Sequence, residues 1–374
     1  MSVIIGADIV PTESNYVLFA RGDAKELIGI ELYKMLEGAD YRIFNLEVPL
    51  AEHSSPIAKH GPSLIAPTES VNGLKKMGID LLTLANNHIM DQGIDGLNST
   101  VRILDRVGIS NVGTGYNLQK ANAAFFFTVK GKRYGVYACA EHEFSIAGES
   151  TPGANPFDPL ESPDHVAQMK TQCDYAIVLY HGGKEYYRYP SPILQKTCRK
   201  LVEKGADLVI CQHSHCIGCE EKHKDGTIVY GQGNFLFDHG DDEYWNTSLL
   251  VRIEDDGQIS YFPLIKQGNR VRMAMGEDAQ AIINAFKQRS VEIQRPGFIQ
   301  EKYSEFSEKY IGGYILYFMG INHLFVYRAL NKLSGQRLRK AIVRHAKKKR
   351  GFGMRNYIEC EAHSELFLNG LKLK

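Results

Sequence analysis

The sequence predicts an α/β protein followed by a helical C-terminal region. Three observations carry that expectation. Short apolar runs alternate with amphipathic stretches over about the first 270 residues. Polar residues fall where those runs end. After about residue 272 the strand-like runs give way to helical spacing.

The elements follow in order. Val3–Ile9, Tyr41–Val48, Asp80–Leu84 and Ile109–Val112 read as strands. Helical spacing lies between them, over Ala24–Leu36, Thr68–Lys76 and Ile94–Val107. Phe125–Val129 and Tyr134–Cys139 flank Gly131 as a hairpin. Asp174–Leu179, Asp207–Cys211 and Thr227–Gly231 continue the strands, with a helix over Ser191–Glu203. Ser248–Glu254 and Gln258–Leu264 flank a turn at Asp256–Gly257. Parallel units interleaved with hairpins imply two mixed sheets packed together. Helices are expected over Glu277–Arg289, Gln300–Tyr310, Gly312–Leu333 and Arg337–Lys349. The expected domains are therefore 1–271 and 272–374.

Composition narrows the class. Hydrophobic residues make up 44% and charged residues 23%, which excludes a collagen, a largely disordered chain and a bare coiled coil. The formal charge of +1 conceals an uneven distribution: Lys332–Arg350 carries nine Lys/Arg and no acid. That run reads as a solvated helix face, as a dock on anionic headgroups, or as a binder of acidic polymer. No aromatics interleave with it, so sequence-specific nucleic-acid binding is not expected. The N-terminus lacks a basic start and a long apolar core, so it reads as a first strand. Seven scattered cysteines, an odd number, argue for reduced thiols and a cytoplasmic protein. Cys216-x-x-Cys219 has zinc-like spacing but no second such pair. Ile311–Tyr327 is diluted by three glycines, Asn322 and His323, and reads as a buried helix, with a membrane-associated helix as the alternative.

Candidate ligands collect at strand ends, where α/β sheets build their sites. Asp8 ends the first strand, and Asn45 and Glu47 end the second. Asn86, Asn87 and His88 follow the third. His181 follows the strand over 174–179, and His213 and His215 follow the one over 207–211. Alternate residues of an extended segment share a side, so His213-x-His215 can serve neighbouring ligand positions. Mixed oxygen and nitrogen donors of this kind suit zinc, manganese or iron.

The same ordered set carries a resemblance. The segments are GAD at 6–8, NLEVPL at 45–50, ANNHIMDQGIDGL at 85–97, HGGKEYYRYPSP at 181–192, GADLVICQHSHC at 205–216 and IVYGQGNFLFD at 228–238. They resemble the calcineurin-like metallophosphoesterases and, more closely, the bacterial capsule-synthesis CapA family associated with poly-gamma-glutamate. The resemblance implies a four-layer αββα sandwich with a metal centre of one or two divalent ions at the sheet edge. It implies that Glu47 bridges, that Asn87, His181 and His213 complete one metal, and that Asp8 and His215 serve the other. His88 would be the acid or oxyanion-stabilising imidazole. The pattern departs at Val10, where the superfamily has His, and at Glu47, where it has Asp. The first metal is then weak, absent, or completed by Asn45 or Glu13.

Other roles follow from these. His88 or Glu185 could move the reaction's protons. Asp91 either holds His88 in one tautomer or serves as a helix N-terminal acid. The cluster Tyr186, Tyr187, Arg188 and Tyr189 either binds an anionic substrate or is an ordinary loop. Gly231, Gly233 and Asn234 set a tight turn beside the site, with Asn234 and His60 as further substrate contacts. The implied activity is a metal-dependent hydrolase or transferase in surface-polymer synthesis, with an anionic polymer or phosphoester as substrate. The alternative is a non-catalytic accessory subunit of a membrane-bound polymer synthase, held at the inner membrane face through 332–350.

Overall fold

The computed structural model describes residues 2–238, 242–321 and 323–372. β1 (Val3–Val10) opens the chain, followed by α1 (Tyr16–Arg21), α2 (Ala24–Ile28) and α3 (Ile30–Glu37). The one helix expected over 24–36 is split because Gly29 takes φ 78°, outside helical space. β2 (Tyr41–Leu46), α4 (Val71–Lys76), β3 (Leu81–Thr83), α5 (Gly93–Val107) and β4 (Ser110–Val112) complete the first strand–helix series. After β5 (Thr114–Gly115) and α6 (Leu118–Ala121), β6 (Phe125–Val129) and β7 (Lys132–Ala140) form the expected hairpin. β8 (Gly153–Ala154), α7 (Ser162–Lys170), β9 (Tyr175–His181), α8 (Pro192–Glu203) and β10 (Leu208–Gln212) follow. Ser191 caps α8 by accepting the Leu194 N–H at 3.0 Å, with proline at the first helical position. β11 (Glu220–His223), β12 (Gly226–Tyr230), β13 (Asn234–Phe237), β14 (Thr247–Ile253), β15 (Ile259–Gln267) and β16 (Arg270–Met273) complete the strands.

These strands form two large sheets. The first runs β16-β15-β14-β1-β2-β3-β4, with β13 also pairing with β1; the second runs β11-β12-β10-β9-β7-β6. β1 to β4 are mutually parallel, as are β7, β9, β10 and β12. Strands buried on both faces explain the near-continuous apolar runs. Val3, Ile5, Ile43 and Leu81 of the first sheet meet Val136, Ile177, Leu179 and Ile210 of the second in one core. The first sheet's other face is covered by Phe19, Leu27, Leu32, Leu74 and Leu97 from its helices. The second sheet's other face is covered by Val166, Met169, Leu194 and Leu201 of α7 and α8. The layers are therefore helix, sheet, sheet, helix. Each fully buried Ile or Leu contributes about 1.5–3 kcal/mol through removal from water.

α9 (Gly276–Glu292) belongs with the sheets, because Phe286 enters the core between them. The chain accordingly divides into compact units between Ile299 and Gln300, later than the change of sequence texture at 272. The second unit holds most of α10 (Phe298–Phe318), then α11 (Phe325–Leu333), α12 (Arg337–Glu359) and α13 (Glu361–Lys372). The single helix expected over 312–333 does not form. α10 continues through Gly312 and Gly313 and stops near Gly320, which takes φ 68°. The segment 311–327 is also not the buried helix expected: Ile315, Leu316 and Tyr327 are buried, whereas Tyr314, Tyr317, Phe318, Phe325 and Val326 are exposed.

Candidate metal centre

The two sheets bring their polar strand ends to one edge. β1 aligns Asp8 with Asn45 of β2 and Asn234 of β13. β10 aligns Gln212 with His181 of β9. The β1–β2 register shifts between Ile5 and Asp8, a bulge that re-aims the acid. Gly6 lies within it, and a Cβ there would sit 1.9 Å from the Phe44 ring. Side-chain amides tie the sheets together, with Gln212 Nε2 donating to Gly6 O (3.2 Å) and Gln232 Nε2 to Ile5 O (3.0 Å).

Glu47 stands at the centre and is fully buried. His181 Nε2 is 3.2 Å from Glu47 Oε1, and His213 Nδ1 is 4.0 Å from it. Neither carboxylate oxygen accepts a hydrogen bond, and His213 Nδ1 also lacks a partner. Among the described residues, Glu47, His213 and His215 each bring one ligand atom within 4.8 Å of the others. Asn87 Oδ1 lies 3.0 Å from His181 Nε2, beside the same carboxylate. His215 Nδ1 is bonded to Asn234 Oδ1 at 2.9 Å, which leaves Nε2 as its outward atom. A buried carboxylate without an aligned donor is costly alone. Together with imidazole and amide it suits a divalent transition metal. The backbone supports the same reading: His213 (φ 81°), His215 (φ 54°) and Tyr186 (φ 59°) occupy left-handed conformations that disfavour side chains.

The titrations reflect this crowding. Burial pushes Glu47 upward, but His181, His213 and His215 together bring its carboxyl well below the usual range. Burial lowers His181 to about 4 despite Glu47, and lowers His215 as well. Burial also opposes charge on His213, yet Glu47 raises it to about 9. Asp8 is raised by burial and by Glu47.

The residues expected for the first metal fare differently. Asp8 Oδ1 accepts from Asn45 Nδ2 at 2.8 Å, and Oδ2 faces the His213 N–H at 3.3 Å. Asn45 is spoken for: its Oδ1 accepts from Thr83 Oγ1 (3.0 Å) and Asn86 Nδ2 (3.2 Å), and its Nδ2 also approaches His181 Nδ1 (3.3 Å). It braces the strand ends. Val10 is buried in the core beneath the first sheet.

His88 pairs with Asp91 at 2.6 Å, Nδ1 to Oδ2. Leu64 N–H donates to the same oxygen at 2.6 Å, and Lys59 Nζ donates to Oδ1 at 2.5 Å. Lys59 was not singled out in the sequence, yet its side chain is 2% exposed and Asp91 is fully buried. His60, its neighbour and the expected contact, lies exposed. Glu185 is half-buried and acts on His213 and His215 through its charge. Trp245 stacks on His215 at 4.6 Å and 20°, and Tyr186 meets Tyr244 and Trp245 at 5.7 and 6.3 Å. Arg188 lies over Tyr244, and its Nη1 donates to Ile217 O at 3.3 Å. Sequence reasoning also missed Trp245; its standing as the chain's single tryptophan was the available signal.

The family model described as bacterial capsule synthesis protein PGA_cap matches residues 8–239, from Asp8 past Asn234. The chain belongs to that family. The chain is 30% identical over 232 residues to the capsule biosynthesis protein CapA of Bacillus anthracis, covering 59% of this chain and 56% of that protein. It is 29% identical over 213 residues to the PGA biosynthesis protein CapA of Bacillus subtilis (strain 168), covering 55% of each. The chain thus spans about half the length of the curated relatives it matches. A solved structure described as a novel phosphatase of Mycoplasma pneumoniae aligns with TM-score 0.43 and 14% identity, over 72% of this chain and 94% of that one. Among the described residues, no helix is long and apolar enough to cross a membrane.

Proposed function

We propose that this PGA_cap protein is a metal-dependent hydrolase or transferase in the synthesis of a capsule or poly-gamma-glutamate-like surface polymer. The observation that carries this reading is the buried Glu47 carboxylate, ringed by imidazoles and accepting no hydrogen bond. Glu47, Asn87, His181 and His213 would hold one divalent ion, and Asp8 and His215 would serve a second. Manganese, zinc and iron all suit the donors. Such an ion supplies Lewis acidity and lowers the pKa of water towards about 7. The chain's own groups do the rest. His88, with Nδ1 on Asp91, keeps Nε2 to give a proton to the leaving oxygen. Glu185 takes the proton that water loses. Arg188, Tyr186, Asn234 and His60 bind an anionic phosphoester or glutamyl polymer. The odd count of seven cysteines favours a cytoplasmic setting.

The test is metal analysis of gently purified protein before and after reconstitution, with turnover of a generic phosphodiester and of gamma-linked glutamyl peptides. Metal and turnover should both be lost in His213→Ala/His215→Ala. Protein that takes up no transition metal on reconstitution defeats the proposal. A second reading, a non-catalytic accessory subunit of a polymer synthase, is favoured by Val10 in the core and the satisfied carbonyl of Asn45. Under it, the double variant would leave polymer production intact.

A further inference from the structure

The second unit contains an amphipathic helix turned inside out. In α11, Phe325, Val326, Leu330 and Leu333 fall within one arc at 100° per residue, and all four are at least 50% exposed. The inward residues are Tyr327 and the polar Asn331. Asn331 is not there by default: its Nδ2 donates to Gln336 Oε1 (2.8 Å) and its Oδ1 accepts the Arg339 N–H (3.0 Å). That bonding fixes the corner into α12 and holds the apolar side of α11 outward. Before the corner, Tyr317 and Phe318 end α10 and Met319 follows, all three exposed. Beyond it, Arg337, Lys340, Arg344, Lys347 and Lys348 are exposed along α12 at spacings of three, four, three and one, a single stripe.

We infer that α11 and the basic stripe of α12 dock the protein on an anionic lipid surface, with Phe325, Val326, Leu330 and Leu333 entering the headgroup layer. A short helix with an outward apolar face beside clustered Lys and Arg is the arrangement that lies in the plane of a bilayer. Charge complementarity selects this occupant over a second copy, whose matching face would bring its own basic stripe. The inference concerns residues outside the matched family region and does not depend on the metal site.

The experiment is co-sedimentation of the full chain with vesicles of phosphatidylcholine alone and with one-quarter phosphatidylglycerol. Binding should require the anionic lipid and weaken at high salt. Arg344→Gln, Lys347→Gln and Lys348→Gln should each weaken it about fivefold. Phe325→Ser/Leu333→Ser should also weaken it, leaving metal content and the Trp245 unfolding transition unchanged. Absent binding overturns the proposal, as does equal binding to both vesicles. Anionic binding unaffected by Phe325→Ser/Leu333→Ser marks simple polyanion adhesion and overturns it. A concentration-dependent dimer abolished by that same pair assigns the face to a second copy, and likewise overturns it.

Discussion

Replacing Asp91 by asparagine keeps the side chain's shape and removes its charge. Three donors converge on this carboxylate: Lys59 Nζ at 2.5 Å, His88 Nδ1 at 2.6 Å and Leu64 N–H at 2.6 Å. The acid is fully buried and the lysine side chain is 2% exposed, so solvent cannot take over either role. Uncompensating one partner of a buried pair costs about 3–5 kcal/mol. Lys59→Met should cost less, about 1–3 kcal/mol, because Asp91 keeps its other two donors. The double variant should be more stable than the sum of the two losses implies, by at least about 1 kcal/mol, since the stranded ammonium is gone. Urea unfolding followed by tryptophan fluorescence measures this directly, because the single tryptophan, Trp245, reports the unit that holds the site. An Asp91→Asn loss below about 1 kcal/mol, or strict additivity in the cycle, would refute the claim that Lys59 and Asp91 form one buried pair.

Two further outcomes concern the ligands. Asn234→Ala should lower metal affinity about 10- to 100-fold without unfolding the protein, because His215 loses the partner that orients its ring; competition with a chelator reads this. His213 in the metal-free protein sits near 9, above its ordinary 6.5. Its raised value stabilises fully below about 6.5 and ceases to do so as pH climbs through about 9. The melting temperature of metal-free protein should therefore fall across that window, and metal uptake at pH 7 should release at least one proton, read by calorimetry in two buffers.

Much of this centre was legible because strand ends in an α/β sheet point one way. Asp8 and His181 lie on β1 and β9, and Glu47, Asn87, His213 and His215 follow the ends of β2, β3 and β10, so the apolar runs mark where all six fall. Lys59 sits in the irregular stretch between β2 and α4, where no periodicity tells inward from outward, so residue type alone points to His60 next to it. Asn45 looked like a ligand by residue type; only three-dimensional neighbours could show its carbonyl engaged by Thr83 and Asn86. The split of 24–36 at Gly29 and the stop of α10 near Gly320 depend on single glycines that helical spacing alone tolerates.

The left-handed backbone at His213 and His215 has a consequence for descent. Glycine would relieve on the order of 1 kcal/mol of backbone strain at each position, but it would also empty the buried space that each ring fills. A lineage that ceased to use these imidazoles would be free to accept asparagine, which tolerates the same backbone and still fills part of that space. Keeping two histidines in so awkward a posture separates copies still in service from copies that have been retired.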